Sequence, residues 1–370
     1  MNKAHYIMIG GFLGAGKTTA ILRLAAHLTE QGQRVGLITN DQSFGLVDTA
    51  LASSRGLPVE EITGGCFCCR FNSLMEAADR LSRAAAPDVF IAEPVGSCTD
   101  LRAAVTYPLH RLYGENFEIA PLSVLVDPVR ALRILGLEPG KAFSPKVLYV
   151  YRKQLEEADV IVINKSDLLT AERLERLAAG LRAEFPKAEI LTMSARGGEG
   201  LDAWFTRLGG IDACEGAAPE VDYDLYAEGE ALLGWFNATV RIDAELPFDG
   251  NRFLRNLAEN IQKRVTAAQG EIAHLKMTLS PDEDGGDIGV VNLVRSDGIP
   301  EQAHELREEL QGAELIVNLR AEADPDLLRT IAGEALDEAA NPHSGMRLTV
   351  KHSEYFRPAR PTPTYRFATI

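Results

Sequence analysis

The chain contains no run of about 18 consecutive apolar residues, the length that a membrane-crossing helix needs, so no membrane partner is expected. Basic residues are also scarce beside acidic ones, with 38 Lys and Arg against 53 Asp and Glu and a formal charge of −15. A surface of that sign repels phosphate backbones, which argues against a nucleic-acid partner. The first ten residues, Met1 to Gly10, lack a signal-peptide layout, and a cytoplasmic location is expected. Cysteine is sparse and odd in number, five in all, and three of the five crowd together at Cys66, Cys68 and Cys69. That spacing is too close for a disulfide framework. In a reducing compartment such a cluster reads as metal-binding or redox-active.

Set against these absences is a chain of 370 residues with 46% apolar content, enough for two ordinary domains with real cores. In the first half, short apolar runs alternate with stretches of helical period, the mark of an α/β fold. Strands are predicted at 5–10, 34–39, 88–93, 122–127, 159–164 and 189–194. Their near-continuous apolar character predicts a mostly parallel sheet covered by helices on both faces. Between the first two, Ile21, Leu24, Ala25 and Leu28 fall on one helical stripe.

The pattern changes after Trp204. We read residues 1–212 as the first domain and 213–230, rich in Gly, Ala and acids, as a linker. Residues 231–353 then form a smaller α+β domain with a strand at 236–242, a helix over 253–265 and strands at 272–279 and 288–294. A helix over 301–310 and a strand at 315–319 follow. That β-α-β-β-α-β order is ferredoxin-like, and a further helix and strand extend it. Residues 354–370 hold Pro358, Pro361 and Pro363 and read as a docking or wrapping tail.

Gly11-Phe12-Leu13-Gly14-Ala15-Gly16-Lys17-Thr18 fits G-x-x-x-x-G-K-[ST] between a strand and a helix, the phosphate-gripping loop of P-loop nucleotide hydrolases. Its glycines let backbone N–H groups turn onto phosphate oxygens while the helix presents its positive end. Gly11, Gly14, Ala15, Gly16, Lys17, Thr18 and Thr19 are the predicted phosphate contacts, with Lys17 on the β- and γ-phosphates and Thr18 on Mg²⁺. Asn164-Lys165-Ser166-Asp167 has the N-K-x-D form that reads guanine. A carboxylate such as Asp167 accepts from the guanine N1–H and 2-amino group together, an arrangement adenine cannot supply. Ser194-Ala195-Arg196, after the next strand, resembles the S-A-K turn whose backbone N–H touches the guanine O6, so GTP is the expected nucleotide. Glu93 begins Glu93-Pro94-Val95-Gly96 at a strand end, where a carboxylate supports Mg²⁺ and Gly96 lets the chain pivot towards the γ-phosphate. Asp41 opens the first switch loop and reads as an orienter of the attacking water, as a support for the metal or as a plain turn acid.

Gly64-Gly65-Cys66-Phe67-Cys68-Cys69 offers three soft donors for Zn²⁺, Co²⁺ or Ni²⁺, leaving one tetrahedral position open for handover. In an extended segment Cys66 and Cys68 face away from Cys69, so joint binding requires a turn that the glycine pair allows. Vicinal redox chemistry and plain packing are the competing readings. Cys98 belongs to the second switch loop and reads as a further ligand or as packing. Cys214 reads as incidental, and ordinary surface or core roles suffice for His343 and His352.

Together, the P-loop, E-x-x-G, N-K-S-D and G-G-C-F-C-C resemble the CobW-like metallochaperone GTPases, relatives of the nickel-insertion GTPases of urease and hydrogenase. The resemblance covers about the first 210 residues. It implies hydrolysis of GTP to GDP and phosphate, coupled to release of a metal from Cys66, Cys68 and Cys69. Lys17 and Thr18 then take the phosphate and Mg²⁺ roles, Glu93 the switch carboxylate, and Asn164 and Asp167 the guanine roles. It also implies a client metalloprotein or metal-cofactor enzyme; a homodimer is suggested by apposed switch faces. Two departures stand out. Asn40-Asp41-Gln42 replaces the usual Asn-Glu pair, and the His-rich storage loop of many members is absent, which favours handover to one client. The rival readings are a regulatory GTPase with structural or redox cysteines and a GTPase that gates cofactor loading of a corrinoid or similar enzyme.

Overall fold

The computed structural model describes residues 3–40, 56–211, 217–282, 287–340 and 345–370. Among them, residues 230–359 form one compact unit, and the residues before 230 form the other together with the C-terminal segment Arg360–Ile370. Among the described residues no helix is long and apolar enough to cross a membrane.

The first unit is built on strands β1 (Ala4–Gly11), β2 (Val35–Asn40), β3 (Val59–Ile62), β4 (Val89–Glu93), β5 (Phe117–Ile119), β6 (Ser123–Val126), β7 (Val160–Ile163) and β8 (Glu189–Thr192). They pair in the order β3-β2-β4-β1-β6-β7-β8, with β5 also on β1, and every pairing is parallel. Helices α1 (Lys17–Glu30), α2 (Phe71–Ala85), α3 (Tyr107–Tyr113), α4 (Pro128–Ile134), α5 (Pro145–Glu156), α6 (Ala171–Glu184) and α7 (Leu201–Leu208) make the crossovers. All six strands predicted from apolar runs are present. β2, β4, β6 and β7 are buried along their whole length, as strands covered on both faces must be. Ile21, Leu24 and Ala25 of α1 are buried against the sheet. β3 and β5 escaped the sequence because one is a half-exposed edge strand carrying Glu60 and Glu61 and the other has three residues.

Within the stretch read as a linker, Tyr223–Leu232 form a helix, α8. Its acids suggested solvent-exposed coil, but Tyr226 is fully buried and accepts the Thr99 N–H at 3.2 Å. Glu228 pairs with Lys146 of α5 at 2.7 Å, so the acidic character serves an anchored helix.

The second unit comprises β9 (Leu233–Phe248), α9 (Gly250–Ala267), β10 (Glu271–Pro281), β11 (Gly289–Leu293), β12 (Glu301–His304), β13 (Leu310–Glu322), α10 (Pro325–Ala340) and β14 (Met346–Phe356). The antiparallel sheet runs β12-β11-β10-β13-β9-β14. Its core four, β14-β9-β13-β10, have the ferredoxin-like arrangement, with β11 and β12 inserted as an edge hairpin. The assignment of strands therefore differs from the sequence reading. The third and fourth core strands are β13 and β14, and the helix expected over 301–310 is absent. Glu301–His304 instead pair with β11, and Leu306 and Leu310, spaced as for a helix, are separate plugs of the core. Asn251 fixes this path by donating to the Leu306 carbonyl at 2.9 Å and accepting its N–H at 2.9 Å. Tertiary pairing overrides a local helix preference here. Residues 354–356, read as the start of the tail, complete β14.

Candidate nucleotide and metal centre

Because every strand of the first sheet is parallel, the loops leaving their C-terminal ends gather along one edge, where ligands bind in folds of this kind. The loop from Gly11 to Gly16 leaves β1 there. Gly16 caps α1 with φ 89°, a left-handed conformation that favours glycine, and a Cβ on it would meet the Asn164 amide nitrogen at 2.5 Å. Lys17 is buried and donates to the Gly11 carbonyl at 2.8 Å, folded back over the loop it would serve. Thr18 donates to Glu93 Oε1 at 3.2 Å, which brings together the two hard oxygen donors that the sequence assigned to Mg²⁺. Thr19 is exposed on the helix surface.

At the other end of the loop stands the guanine-reading motif. Asn164, after β7, is buried and holds three segments at once: it donates to the Ala15 carbonyl at 2.9 Å and accepts from the Lys165 N–H at 2.8 Å and the Ala195 N–H at 3.0 Å. Lys165, at φ 54°, donates to the Gly14 carbonyl at 2.7 Å and pairs with Asp127 at 3.0 Å. Asp167 is exposed. Ser194 is buried and accepts the Gly197 N–H at 2.9 Å, shaping the turn. Arg23 of α1 braces that turn through the Ala195 and Arg196 carbonyls at 3.1 and 2.8 Å. Sequence reasoning passed over Asp127, which also caps α4 by accepting the Arg130 N–H at 3.0 Å. Its signal was present: an acid at a strand end followed by Pro128 is an N-cap with proline at N1.

The three cysteines converge. After β3, Gly64 and Gly65 turn the chain, and Cys66 to Arg70 make one helical turn into α2, with the Cys69 and Arg70 N–H groups donating to the Cys66 carbonyl at 3.0 and 2.9 Å. That turn is the one the glycine pair was expected to allow. The sulfurs of Cys66 and Cys68 lie 2.8 Å apart, those of Cys66 and Cys69 3.3 Å, and those of Cys68 and Cys69 3.7 Å. All three are free thiols. Among the described residues this is the one group of three or more Cys, His, Asp or Glu close enough to hold a metal. Hydrogen bonding from Cys68, and then from Cys69 and Cys98, holds the Cys66 thiol well below its ordinary range. The same contact raises Cys68, and contact with Cys66 pushes Cys69 up to about 11. Thiolate character in the cluster is thus concentrated on Cys66.

Asn40, the last residue of β2, ties the end of that strand to this loop. Its amide donates to the carbonyls of Ile62 and Gly65 at 3.0 and 2.7 Å. Asp41 and Cys214 lie outside the described residues, as does His343. His352, on β14, is exposed beside Glu354 at 3.9 Å.

A further component is the C-terminal segment, which packs on the cysteine turn. The Thr362 N–H donates to Cys69 Sγ at 3.1 Å, and Thr364 donates through its N–H to the Cys68 carbonyl at 2.8 Å and through its hydroxyl to the Cys69 carbonyl at 3.1 Å. Tyr365 stands edge-on to Phe71, centroids 5.3 Å apart, and Arg366 binds Asp100 at 2.7 Å. Contacts across some 290 residues of chain leave no local signal in a sequence.

Residues 5–192 match the family model described as CobW/HypB/UreG, nucleotide-binding domain, which takes in half of the chain. The chain is similar to the zinc chaperone YeiR of Escherichia coli (strain K12), 32% identical over 173 residues that cover 46% of this chain and 49% of that protein. It is also similar to the zinc chaperone YjiA of the same organism, 29% identical over 194 residues covering 50% and 57%. The chain thus spans about half the length of these curated relatives. Among solved structures, the Zn(II)-bound YjiA GTPase from E. coli aligns over 90% of this chain and 99% of that one, at 18% identity and a TM-score of 0.40.

Proposed function

The chain belongs to the CobW/HypB/UreG family, and from that membership and the trithiol on the loop after β3 we propose that it is a cytoplasmic, GTP-hydrolysing metallochaperone. Its cargo is a transition metal, zinc first by the chemistry of three thiolates and by the names of its relatives, and its client is a metalloprotein. In this reading Lys17 swings from the Gly11 carbonyl to the β- and γ-phosphates, compensating the charge that moves during phosphoryl transfer. Thr18 and Glu93 would hold Mg²⁺, which would supply positive charge to offset the charge that develops during transfer. Asp167 accepts from the guanine edge while Asn164 keeps the loops in register. Asp41 is proposed as the carboxylate that orients the attacking water.

The single observation that carries the proposal is the bridge made by Asn40, whose amide links the end of β2 to the Gly65 carbonyl beside the thiols. A change in the first switch on hydrolysis is thereby felt one residue from Cys66. Redox sensing is the weaker alternative, since sensor thiols are solvent-accessible and Cys66 and Cys68 are 4% and 1% exposed. Coupling between two sites is reciprocal. Zn²⁺ titrations with GDP and with a non-hydrolysable GTP analogue should therefore differ in affinity by about five-fold or more, and equal affinities would remove the basis for a chaperone.

A further inference from the structure

We propose that the C-terminal segment 360–370 is a gate on the metal site: Thr362 positions the sulfur of Cys69, and the ion pair of Arg366 with Asp100 is the clip by which the loop after β4 holds or frees that gate. The inference rests on the metallochaperone reading and adds to it residues outside the phosphate, guanine and cysteine motifs.

Three observations carry it. First, the segment sits where the cluster meets solvent. Cys66 and Cys68 are buried while Cys69 is partly exposed, and it is Cys69 Sγ that accepts the Thr362 N–H at 3.1 Å. An N–H donated to a ligating sulfur fixes its orientation and offsets thiolate charge without ligating. Second, the segment continues onto the loop after β4. The Phe367 N–H donates to the Ala103 carbonyl at 2.9 Å, and the Arg366 guanidinium donates to the two carboxylate oxygens of Asp100 at 2.7 and 3.3 Å. Asp100 is 2% exposed, accepts the Tyr223 hydroxyl at 2.6 Å, and has φ 64°, a left-handed conformation that a residue with a Cβ keeps only where its surroundings impose it. A carboxylate buried against a guanidinium recovers its lost hydration poorly, so the pair is a weak permanent fastener, and a register or switching role is the better-attested use of such a pair. Third, the other end of the same loop meets the nucleotide machinery. Glu93, seven residues before Asp100, accepts from Thr18 at 3.2 Å, and Gly96 abuts the phosphate loop so closely that a Cβ there would meet the Leu13 nitrogen at 3.0 Å.

The loop 93–100 is thus a short lever between the phosphate loop and the clip, its middle held by buried Gln154 of α5, which donates to the carbonyls of Gly96 and Cys98 at 3.0 and 2.7 Å. A shift of this loop on gain or loss of the γ-phosphate draws Asp100 off Arg366. The segment then lifts, and Cys69 loses the N–H that oriented it. Handover starts at that sulfur: its bond to the metal breaks as a bond to the client's donor forms, the freed thiolate takes a proton from water, and no oxidation state changes.

The test follows Zn²⁺ leaving the loaded full chain for a chromophoric chelator in a stopped-flow mixer, once with GDP and once with a non-hydrolysable GTP analogue. The wild type should transfer the ion at different rates in the two states. Arg366→Ala should transfer about tenfold faster in the slower state and lose the difference between states. In the metal-free protein, iodoacetamide should modify Cys69 of Arg366→Ala several-fold faster than Cys69 of the wild type. A tail that merely packs would lower the melting temperature of the variant and leave its nucleotide dependence in place. Equal wild-type rates in the two states, or wild-type transfer and alkylation in Arg366→Ala, overturns the gate while the chaperone reading, which stands on affinity, survives. If the wild type binds no Zn²⁺, both fall. Should Arg366→Ala not fold, as circular dichroism would report, Asp100→Asn decides in its place, since asparagine tolerates the left-handed backbone and removes the charge.

Discussion

Glu157 shows how one buried side chain leaves a signature in solution. It is fully buried, accepts from the Arg102 N–H at 2.9 Å and the Thr99 hydroxyl at 3.3 Å, and loss of hydration pushes its carboxyl up to about 8. Below the unfolded value near 4.5 both states are protonated. Between there and pH 8 the native chain keeps a proton that the unfolded chain has lost, so stability falls as pH rises, by about 1.4 kcal/mol per unit from this group, and levels off above pH 8. Urea melts of the wild type and Glu157→Gln across pH 5 to 8.5 should show that slope flattened in the variant; parallel curves would mean the carboxyl ionises in place. Asn164 offers a second test. Asn164→Ala leaves the buried Ala195 N–H and Ala15 carbonyl without their partner and should cost about 1–3 kcal/mol per orphaned group. GTP affinity, read by a fluorescent analogue, should fall with it. Both residues differ in legibility: Asn164 sat in a recognisable tetrapeptide, whereas nothing around Glu157 in the chain distinguishes it from a surface acid on an amphipathic helix.

At the scale of elements, two segments brace the site. The first is the stretch from Glu93 to Cys98, which accepts from the Thr18 hydroxyl at one end and is held at the other by Gln154, whose amide donates to the carbonyls of Gly96 and Cys98. Gly96→Ala places a methyl 3.0 Å from the Leu13 nitrogen, a backbone contact that cannot rotate away, and should cost about 1–3 kcal/mol. Calorimetry should show weakened nucleotide binding alongside, because the phosphate loop is what must move. The second is the C-terminal strap. Deleting residues 360–370 removes the N–H donor to Cys69 Sγ, the Thr364 bonds and the ring of Tyr365 from Phe71. Alkylation of Cys69 by iodoacetamide, followed by mass spectrometry, should then proceed several-fold faster; an unchanged rate would show that the strap does not shield the sulfur. The helix expected over 301–310 belongs to the same scale. Its composition favoured a helix, and the bonds of Asn251 to Leu306 with the pairing of β12 to β11 decided otherwise.

At the scale of the molecule, the chain builds one unit, completes a second from residues 230–359, and returns with its last residues to the first. The second unit has its own core, in which Leu257, Ile261 and Val265 of α9 and Leu328 and Ile331 of α10 pack with Val240, Met277 and Leu315 of the sheet. Residues 230–359 expressed alone should therefore unfold in one cooperative thermal transition, and Leu257→Ala should destabilise it by about 2–5 kcal/mol. A gradual, non-cooperative melt would show that this core depends on the rest of the chain. The sequence by itself determined whatever is local. Apolar runs gave six parallel strands, clearest in β2, β4, β6 and β7, where burial on both faces demands unbroken hydrophobicity. Short motifs gave the phosphate loop, the N-K-x-D segment and the trithiol, since each lies within one short stretch of chain. Only the tertiary structure decided the rest: the Asn40 link to the cysteine turn, the strap of residues 360–370 and the true third and fourth strands of the second sheet. Those are pairings between distant segments, fixed by which surfaces meet when the core closes, and no window of neighbouring residues records them.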